Sequence, residues 1–252
     1  MSLRLLYPVS PASLLRSVAS QCAVCHSWPA RRVCAACVSR FGQVHARCIS
    51  CALTLPAALS KGRGLPSLRC AACVRQPPPL DACFAAVPYA YPWSDLVARY
   101  KFGNDPAWAN NFAALLLEVP GVRNTLHGLR PDDLLIPLPL SAQRLQSRGF
   151  NQAWELATSL ARQSGTLARS DARLLLRIRD TAPQARLGRE ARLRNLQDAF
   201  AVDPLRVADL RGRRALLVDD VMTSGASLFA AAQALREAGA ATVTAMVFAR
   251  TE

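Results

Sequence analysis

Leu216-Leu217-Val218-Asp219-Asp220-Val221-Met222-Thr223-Ser224-Gly225-Ala226-Ser227 is the stretch on which the fold turns. An apolar run ends in two adjacent carboxylates, a small hydroxyl-rich turn follows, and a helical pattern begins at once. That order reads as buried strand, phosphate loop and helix N-terminus. Residues 215–218 are apolar without alternation, as in a parallel strand covered on both faces. Asp219 and Asp220 then fall at its carboxyl end, where open α/β sheets bind ligands. A carboxylate accepts hydrogen bonds from a diol, so the pair suits a ribose. Thr223, Ser224 and Ser227 add three hydroxyls, and Gly225 permits a backbone turn that a Cβ resists. A helix over 227–238, stopped by Gly239, brings its positive dipole end to the loop. A strand over 242–249 closes a β-loop-α-β unit. The chemistry such a unit serves is a sugar phosphate. A P-loop nucleotide hydrolase also places acids at a strand end, but it needs G-x-x-x-x-G-K-[ST]. The only lysines are Lys61 and Lys101, and neither stands in that pattern.

The segment resembles the phosphoribosyltransferase signature of apolar strand, two acids and a Thr/Ser-Gly loop. The resemblance implies that Asp219 and Asp220 contact the ribose hydroxyls of phosphoribosyl pyrophosphate. It implies that Thr223, Ser224, Gly225, Ala226 and Ser227 hold its 5′-phosphate.

All nine cysteines precede residue 84, and eight form C-x-x-C pairs: Cys22/Cys25, Cys34/Cys37, Cys48/Cys51 and Cys70/Cys73. Two such pairs hold one tetrahedral Zn²⁺ through four thiolates, so four pairs imply two structural zinc ribbons. Sequential pairing is the simpler arrangement, and spacing leaves interleaved pairing open. A disulfide scaffold is the competing reading. Residues 1–20 argue against secretion, because Arg4, Pro8, Pro11 and Arg16 interrupt any apolar core. Gln21 before Cys22 also spoils a lipoprotein-type cleavage site. The expectation is a reducing cytosol, where paired C-x-x-C binds metal. His26 and His45 are surplus to eight thiolates, and Cys83 reads as a small buried apolar residue.

Formal net charge is +14, nearly all of it arginine. Residues 1–82 hold ten basic side chains against Asp81 alone, but two four-thiolate zinc sites would remove about four of those charges. Such a balance suits nucleic acid or a polyanionic sugar pyrophosphate equally. Aromatic residues make up 6% of the chain, too few to suggest a base-stacking platform. No apolar run approaches the ~20 residues needed to span a bilayer. Pro77-Pro78-Pro79 marks a boundary between a cysteine-rich domain, 1–79, and an α/β domain, 80–252. Strands are expected over 83–89, 134–138 and 174–178. Helices are expected over 94–102, 108–117, 152–163 and, rich in arginine, 186–196. That alternation argues a mainly parallel sheet with flanking helices.

Three further segments sharpen the resemblance. Ile136-Pro137-Leu138-Pro139 is followed by Arg144 and then Arg148-Gly149-Phe150-Asn151-Gln152. Arg177, Thr181, Gln184, Leu187, Arg192 and Asn195 follow in an ordered frame. With Tyr100-Lys101-Phe102-Gly103 and the cysteine pairs, the chain resembles the ComF family, GntX-like proteins included. That resemblance implies a double zinc ribbon joined to a type I phosphoribosyltransferase-like domain. It also implies a role in natural transformation, with single-stranded DNA and the DNA-uptake machinery as partners.

Phosphoribosyl transfer expels pyrophosphate, whose charge guanidinium groups and Mg²⁺ stabilise. Arg148, on a Gly-hinged loop beyond a strand end, is the first candidate, with Lys101 and Arg144 second. Arg179, Arg186 and Arg189 are candidates for a closing loop, against the plainer reading of a solvated helix face. Asn151 and Gln152 are candidates for capping the next helix. No base-specific acceptor pocket is readable, so the resemblance names a pentosyltransferase fold without naming its acceptor. Two rival functions stand beside it: a nucleic-acid-binding zinc-ribbon adaptor with a vestigial pocket, and a purine or pyrimidine salvage enzyme.

Overall fold

A computed structural model describes residues 20–43, 45–56, 68–179 and 199–252. The chain divides into two compact units, Met1–Phe41 and Gly42–Glu252. In the first unit Ser20 and Ala30 form an antiparallel bridge, and a turn carries Cys22 and Cys25 into helix α1 (Ala35–Phe41). Its described core is little more than Cys22, Val33 and Cys37. Apolar burial among these described residues is small, and a metal held by the cysteines would add what packing does not.

In chain order the second unit contains α2 (Ala71–Arg75), β1 (Ala82–Pro88), α3 (Trp93–Phe102), α4 (Trp108–Leu117) and α5 (Val122–His127). β2 (Leu134–Pro137), α6 (Ala142–Arg148), α7 (Gln152–Ser164), β3 (Arg169–Ser170), β4 (Leu175–Arg177) and β5 (Phe200–Val202) follow. α8 (Val207–Leu210), β6 (Arg214–Met222), α9 (Ala226–Glu237) and β7 (Thr242–Arg250) complete it. The main sheet has the order β1-β7-β6-β2-β3, and every pairing in it is parallel. This is the mainly parallel α/β class that the strand–helix alternation predicts. β4 and β5 form a separate antiparallel pair.

Helices cover both faces of the sheet. α4 and α7 pack together over one face, where Phe112 stacks on Phe248 with ring centroids 3.8 Å apart and Trp93 meets Phe248 edge-on. α9 covers the other, with Leu228, Ala231, Ala232 and Leu235 against Leu217, Val243 and Ala245. Central strands buried on both sides read as continuous apolar runs, which is why β2 is Leu-Leu-Ile-Pro throughout. Cys83 is buried on β1, as expected of a small apolar residue.

The second cysteine cluster shares this α9-side core: Cys48, Cys51, Cys70 and Cys73 lie in one buried group with Leu80, Cys83 and Leu228. It therefore belongs to the large unit, and Pro77-Pro78-Pro79 lies inside that unit. The composition break marks a change of architecture there, whereas compactness breaks at Phe41/Gly42. The arginine-rich helix expected over 186–196 lies outside the described residues.

The topology decides where a ligand goes. β2 is followed by helices that lead outward to β3, while β6 is followed by α9, which leads the opposite way to β7. The crossovers diverge between β2 and β6. A crevice at that switch point, at the carboxyl ends of the strands, is where open α/β sheets bind ligands.

Candidate functional site

Two loops lie at those strand ends, one after β2 and one after β6. The second begins within a strand: the ladder between β6 and β7 runs on through Asp219, Val221 and Met222. The twin acids are thus held by sheet hydrogen bonding rather than by a loop. The Asp219 carboxylate accepts a 2.8 Å bond from the Asp220 amide. Asp220 is 2% exposed and ion-paired, its Oδ2 standing 2.8 Å from Lys101 Nζ. Lys101 reaches it from the last turn of α3. Burial and the neighbouring Asp220 charge push the Asp219 carboxyl well above the ordinary carboxylate range, and Lys101 opposes them. Two acids compressed in this way form a site that gains from any approaching cation.

After Met222 the chain turns at Gly225, whose φ of +84° forms the N-cap of α9. A Cβ there would stand 2.4 Å from Met222 Cε and 2.7 Å from the Phe229 ring, so only glycine fits. Ala226 donates its amide to Ser224 Oγ at 3.4 Å. Thr223 is exposed, Ser224 and Ser227 are half-buried, and Gly225 and Ala226 are buried. The first amides of α9 have no intrahelical acceptor and carry the positive end of the helix dipole. The loop therefore presents N–H groups and hydroxyls beside two carboxylates.

The loop after β2 supplies cationic groups. Ser141 caps α6 by accepting from the Arg144 amide at 3.3 Å, and Gly149, with φ of +76°, ends the helix. Arg148 lies on the last turn. Its Nη1 donates to Gln152 Oε1 at 2.8 Å, and its guanidinium sits 5.3 Å above the Phe102 ring. Burial draws its proton affinity down while Asp220 and Asp219 hold it up, which places the guanidinium within the field of both acids. Arg144, one turn earlier, is exposed. Asn151 caps α7, accepting from the Ala153 amide at 2.9 Å and donating to Leu138 O at 3.2 Å. Tyr100 is buried and donates to Gln152 O at 2.6 Å, fixing α3 to the start of α7.

The structure thus gathers Lys101, Arg148, Asp219 and Asp220 at the carboxyl ends of β2 and β6 and sets the Thr223–Ser227 turn on the same strand end. Arg179 is at the limit of the described residues, and Arg186 and Arg189 lie outside them. Periodicity did not single out Gln152 as the anchor of Arg148, or Phe102 as its exposed ring partner at 75% exposure. The signal for Phe102 was present, since an aromatic ending a helix beside one of the chain's two lysines has no core to fill.

The cysteines resolve the pairing question. Cys22, Cys25, Cys34 and Cys37 form one cluster, and Cys48, Cys51, Cys70 and Cys73 the other. This is the sequential arrangement, zinc-ribbon-like in both cases, and all nine thiols are free. Within each cluster the sulfurs lie within 4.8 Å of one another. Cys22–Cys37, Cys25–Cys34 and Cys51–Cys70 Sγ separations of 3.9, 3.6 and 3.7 Å approach the ~3.8 Å edge of a tetrahedron with ~2.3 Å metal–sulfur bonds. Amides of Cys34 and Cys70 donate to Cys22 and Cys48 sulfurs at 3.3 and 3.2 Å, as suits thiolates. Both clusters fit a four-thiolate metal.

Comparison with known proteins agrees with this geometry. Residues 152–252 match the phosphoribosyl transferase domain. The DNA utilization protein YhgH of Salmonella typhi is 34% identical over 219 residues, 87% of this chain and 90% of that protein. Competence protein F of Haemophilus influenzae is 33% identical over 172 residues, 68% of this chain and 73% of that protein. The chain belongs to the ComF family. YhgH of Escherichia coli K12, 35% identical over 75% of this chain and 82% of its own length, is similar as well. In this ComF-family chain the matched domain covers α7 through β7, so Asp219, Asp220 and the Thr223–Ser227 turn fall inside it. Lys101, Arg148 and both cysteine clusters lie upstream of it. Among the described residues no helix is long and apolar enough to cross a membrane.

Proposed function

We propose that this protein binds phosphoribosyl pyrophosphate with Mg²⁺ in the crevice between β2 and β6. On this reading it serves the handling of single-stranded DNA during uptake, in the reducing cytosol. Asp219 and Asp220 hold the ribose diol. Amides and hydroxyls of Thr223, Ser224, Gly225, Ala226 and Ser227 hold the 5′-phosphate at the start of α9. Lys101 and Arg148, with Arg144 behind, face the pyrophosphate. The observation that carries the reading is the juxtaposition of the half-buried Asp219 and buried Asp220, a lysine 2.8 Å from the latter, and a glycine-capped helix N-terminus at a topological switch point.

Mg²⁺ fits the donor set, because hard cations take carboxylate oxygens and phosphates and the two compressed acids are relieved by positive charge. Bound there, it would neutralise pyrophosphate oxygens as the leaving group departs. The protein's own groups supply the remainder. Lys101 holds Asp220 in place until a diol competes for that carboxylate. Arg148, steadied by Gln152 and Phe102, offers a fixed fork to the departing charge. Zinc is the metal proposed for both cysteine clusters, in a structural role, since four thiolates leave no open position.

The test is a calorimetric titration of the whole protein with phosphoribosyl pyrophosphate and Mg²⁺. Wild type is expected to bind, and Asp220→Ala to lose that binding by at least about a hundredfold. An inert wild type contradicts the reading. Steeply salt-dependent single-strand binding that survives Asp220→Ala, with no sugar-phosphate binding, would favour the adaptor function. Pyrophosphate release with one free base would favour salvage.

A further inference from the structure

Arg250 closes β7 and is 7% exposed, yet among the described residues it makes no ion pair. It spends its donors on main-chain carbonyls. Nε donates to Cys51 O at 2.9 Å, and Nη1 to Met222 O at 3.3 Å, to Thr223 O at 2.5 Å, and to Thr251 O. Cys51 belongs to the second metal cluster, and Thr223 opens the phosphate turn. One guanidinium therefore joins the two.

Neighbouring contacts run along the same path. The Cys83 amide donates to Ile49 O at 2.7 Å, and Cys83 Sγ lies 3.8 Å from Met222 Sδ. Met222 in turn fills the space beneath Gly225. Arg47 Nη1 donates to Ala52 O at 2.9 Å and pairs with Glu252 at 3.2 Å, while its Nη2 is buried with no partner. Glu252 accepts from the Thr54 amide at 3.1 Å and from its hydroxyl at 2.6 Å. The chain end after β7 is thus stitched to the Cys48–Cys51 turn at several points.

Charge explains why the buried Arg250 guanidinium stands there without an acidic partner among the described residues. A divalent ion in four thiolates leaves a net charge of about −2. Buried cations without counter-charge are costly, and this cluster supplies it. Geometry explains the consequence. In a trans peptide C=O and N–H lie in one plane and point in opposite directions across the C–N bond. Pinning the Thr223 carbonyl on Arg250 therefore fixes the Ser224 N–H on the other side, away from the guanidinium.

We propose that Arg250 is a positioning residue that couples metal occupancy of the Cys48/Cys51/Cys70/Cys73 cluster to phosphate-ester binding at Thr223–Ser227. Metal in the cluster fixes the Cys51 carbonyl, Arg250 carries that constraint to Thr223, and the turn is held ready for an anion. The coupling rests on the phosphate reading of the turn, and because linkage is reciprocal the ligand must also retain the metal.

The experiment has two arms on the full chain. In the first, Arg250→Lys, which keeps the charge and loses the forked donor set, retains two metal equivalents. It binds phosphoribosyl pyrophosphate about tenfold more weakly. The ligand slows chelator-driven metal release from wild type and has no such effect on the variant. Equal affinity together with equal protection overturns the coupling. The second arm uses no ligand. Hydrogen exchange at residues 223–227 is expected to quicken in Arg250→Lys and on metal removal, with β2 and α7 unchanged. Unaltered exchange overturns the coupling by itself. If wild type fails to bind the ligand while exchange responds, the sugar-phosphate reading falls and the mechanical link stands.

Discussion

The two cysteine clusters use the same ligands in the same order and do different physical work. In the first, Cys25 is exposed and Cys34 half-buried, and the described residues around them bury almost nothing else. In the second, all four sulfurs are buried and share a core with β1 and α9. A repeated C-x-x-C motif therefore does not fix the role of its metal; the surroundings do. Where packing is thin, ligation substitutes for a core. Where packing is dense, ligation becomes one stitch in a larger structure, and its loss is felt at a distance.

The sharpest way to break that contrast is to remove one ligand from each cluster. Cys51→Ser is expected to cost the α/β unit on the order of 3–5 kcal/mol, because it leaves thiols buried without their cation. Denaturant unfolding followed through Trp93 and Trp108, both buried in that unit, measures it. Cys25→Ser should leave the same transition within about 0.5 kcal/mol of wild type. Equal effects would erase the distinction.

Acid would release metal held by either cluster by protonating its thiolates, so the acid response of the rest of the large unit must be known separately. Asp171 is buried and takes a forked pair of bonds from Arg206 at 3.0 and 2.6 Å. Hydrogen bonding to Arg206 outweighs burial and lowers its carboxyl to about 2. A folded-state value depressed below the unfolded ~3.9 stabilises above that pH and fades as pH falls through the folded value. About 2 kcal/mol should thus disappear between pH ~4 and ~2. Arg206→Met should remove most of that slope from the pH profile of unfolding, the Arg169 charge and the Arg173 amide keeping the remainder, and leave the metal-dependent part.

A smaller effect tests the link between the second cluster and the phosphate turn. Gly225→Ala places a methyl group at positive φ against Met222, costing about 1–2 kcal/mol. Thermal unfolding should show the loss in the large unit alone. No change would mean that Met222 does not brace the turn.

Much of this was legible in the chain. The β6-turn-α9-β7 unit was, because its apolar run, acids and glycine each demand one local conformation. The boundary of β6 was not, because its ladder with β7 carries the acids inside the strand. α6 escaped notice because it buries no residue and so has no apolar stripe. It is held by the Ser141 cap and Gly149 instead. β3, of two residues, exists only through pairing with β2. Within the site, residue types were readable and partnerships were not. Lys101 meets Asp220 across more than a hundred residues, and only the fold brings them together. Arg250 gave no signal, since its partners are all backbone carbonyls.

The central claim is that the turn after the twin acids of β6 cradles a phosphorylated pentose. A crystal structure soaked with phosphoribosyl pyrophosphate and Mg²⁺ tests it most directly. The account predicts the 5′-phosphate against the amides of residues 224–227 and the ribose hydroxyls on Asp219 and Asp220, with Lys101 withdrawn from Asp220. Ligand bound elsewhere, or a crevice that stays closed by the Lys101–Asp220 pair at saturating ligand, would contradict it.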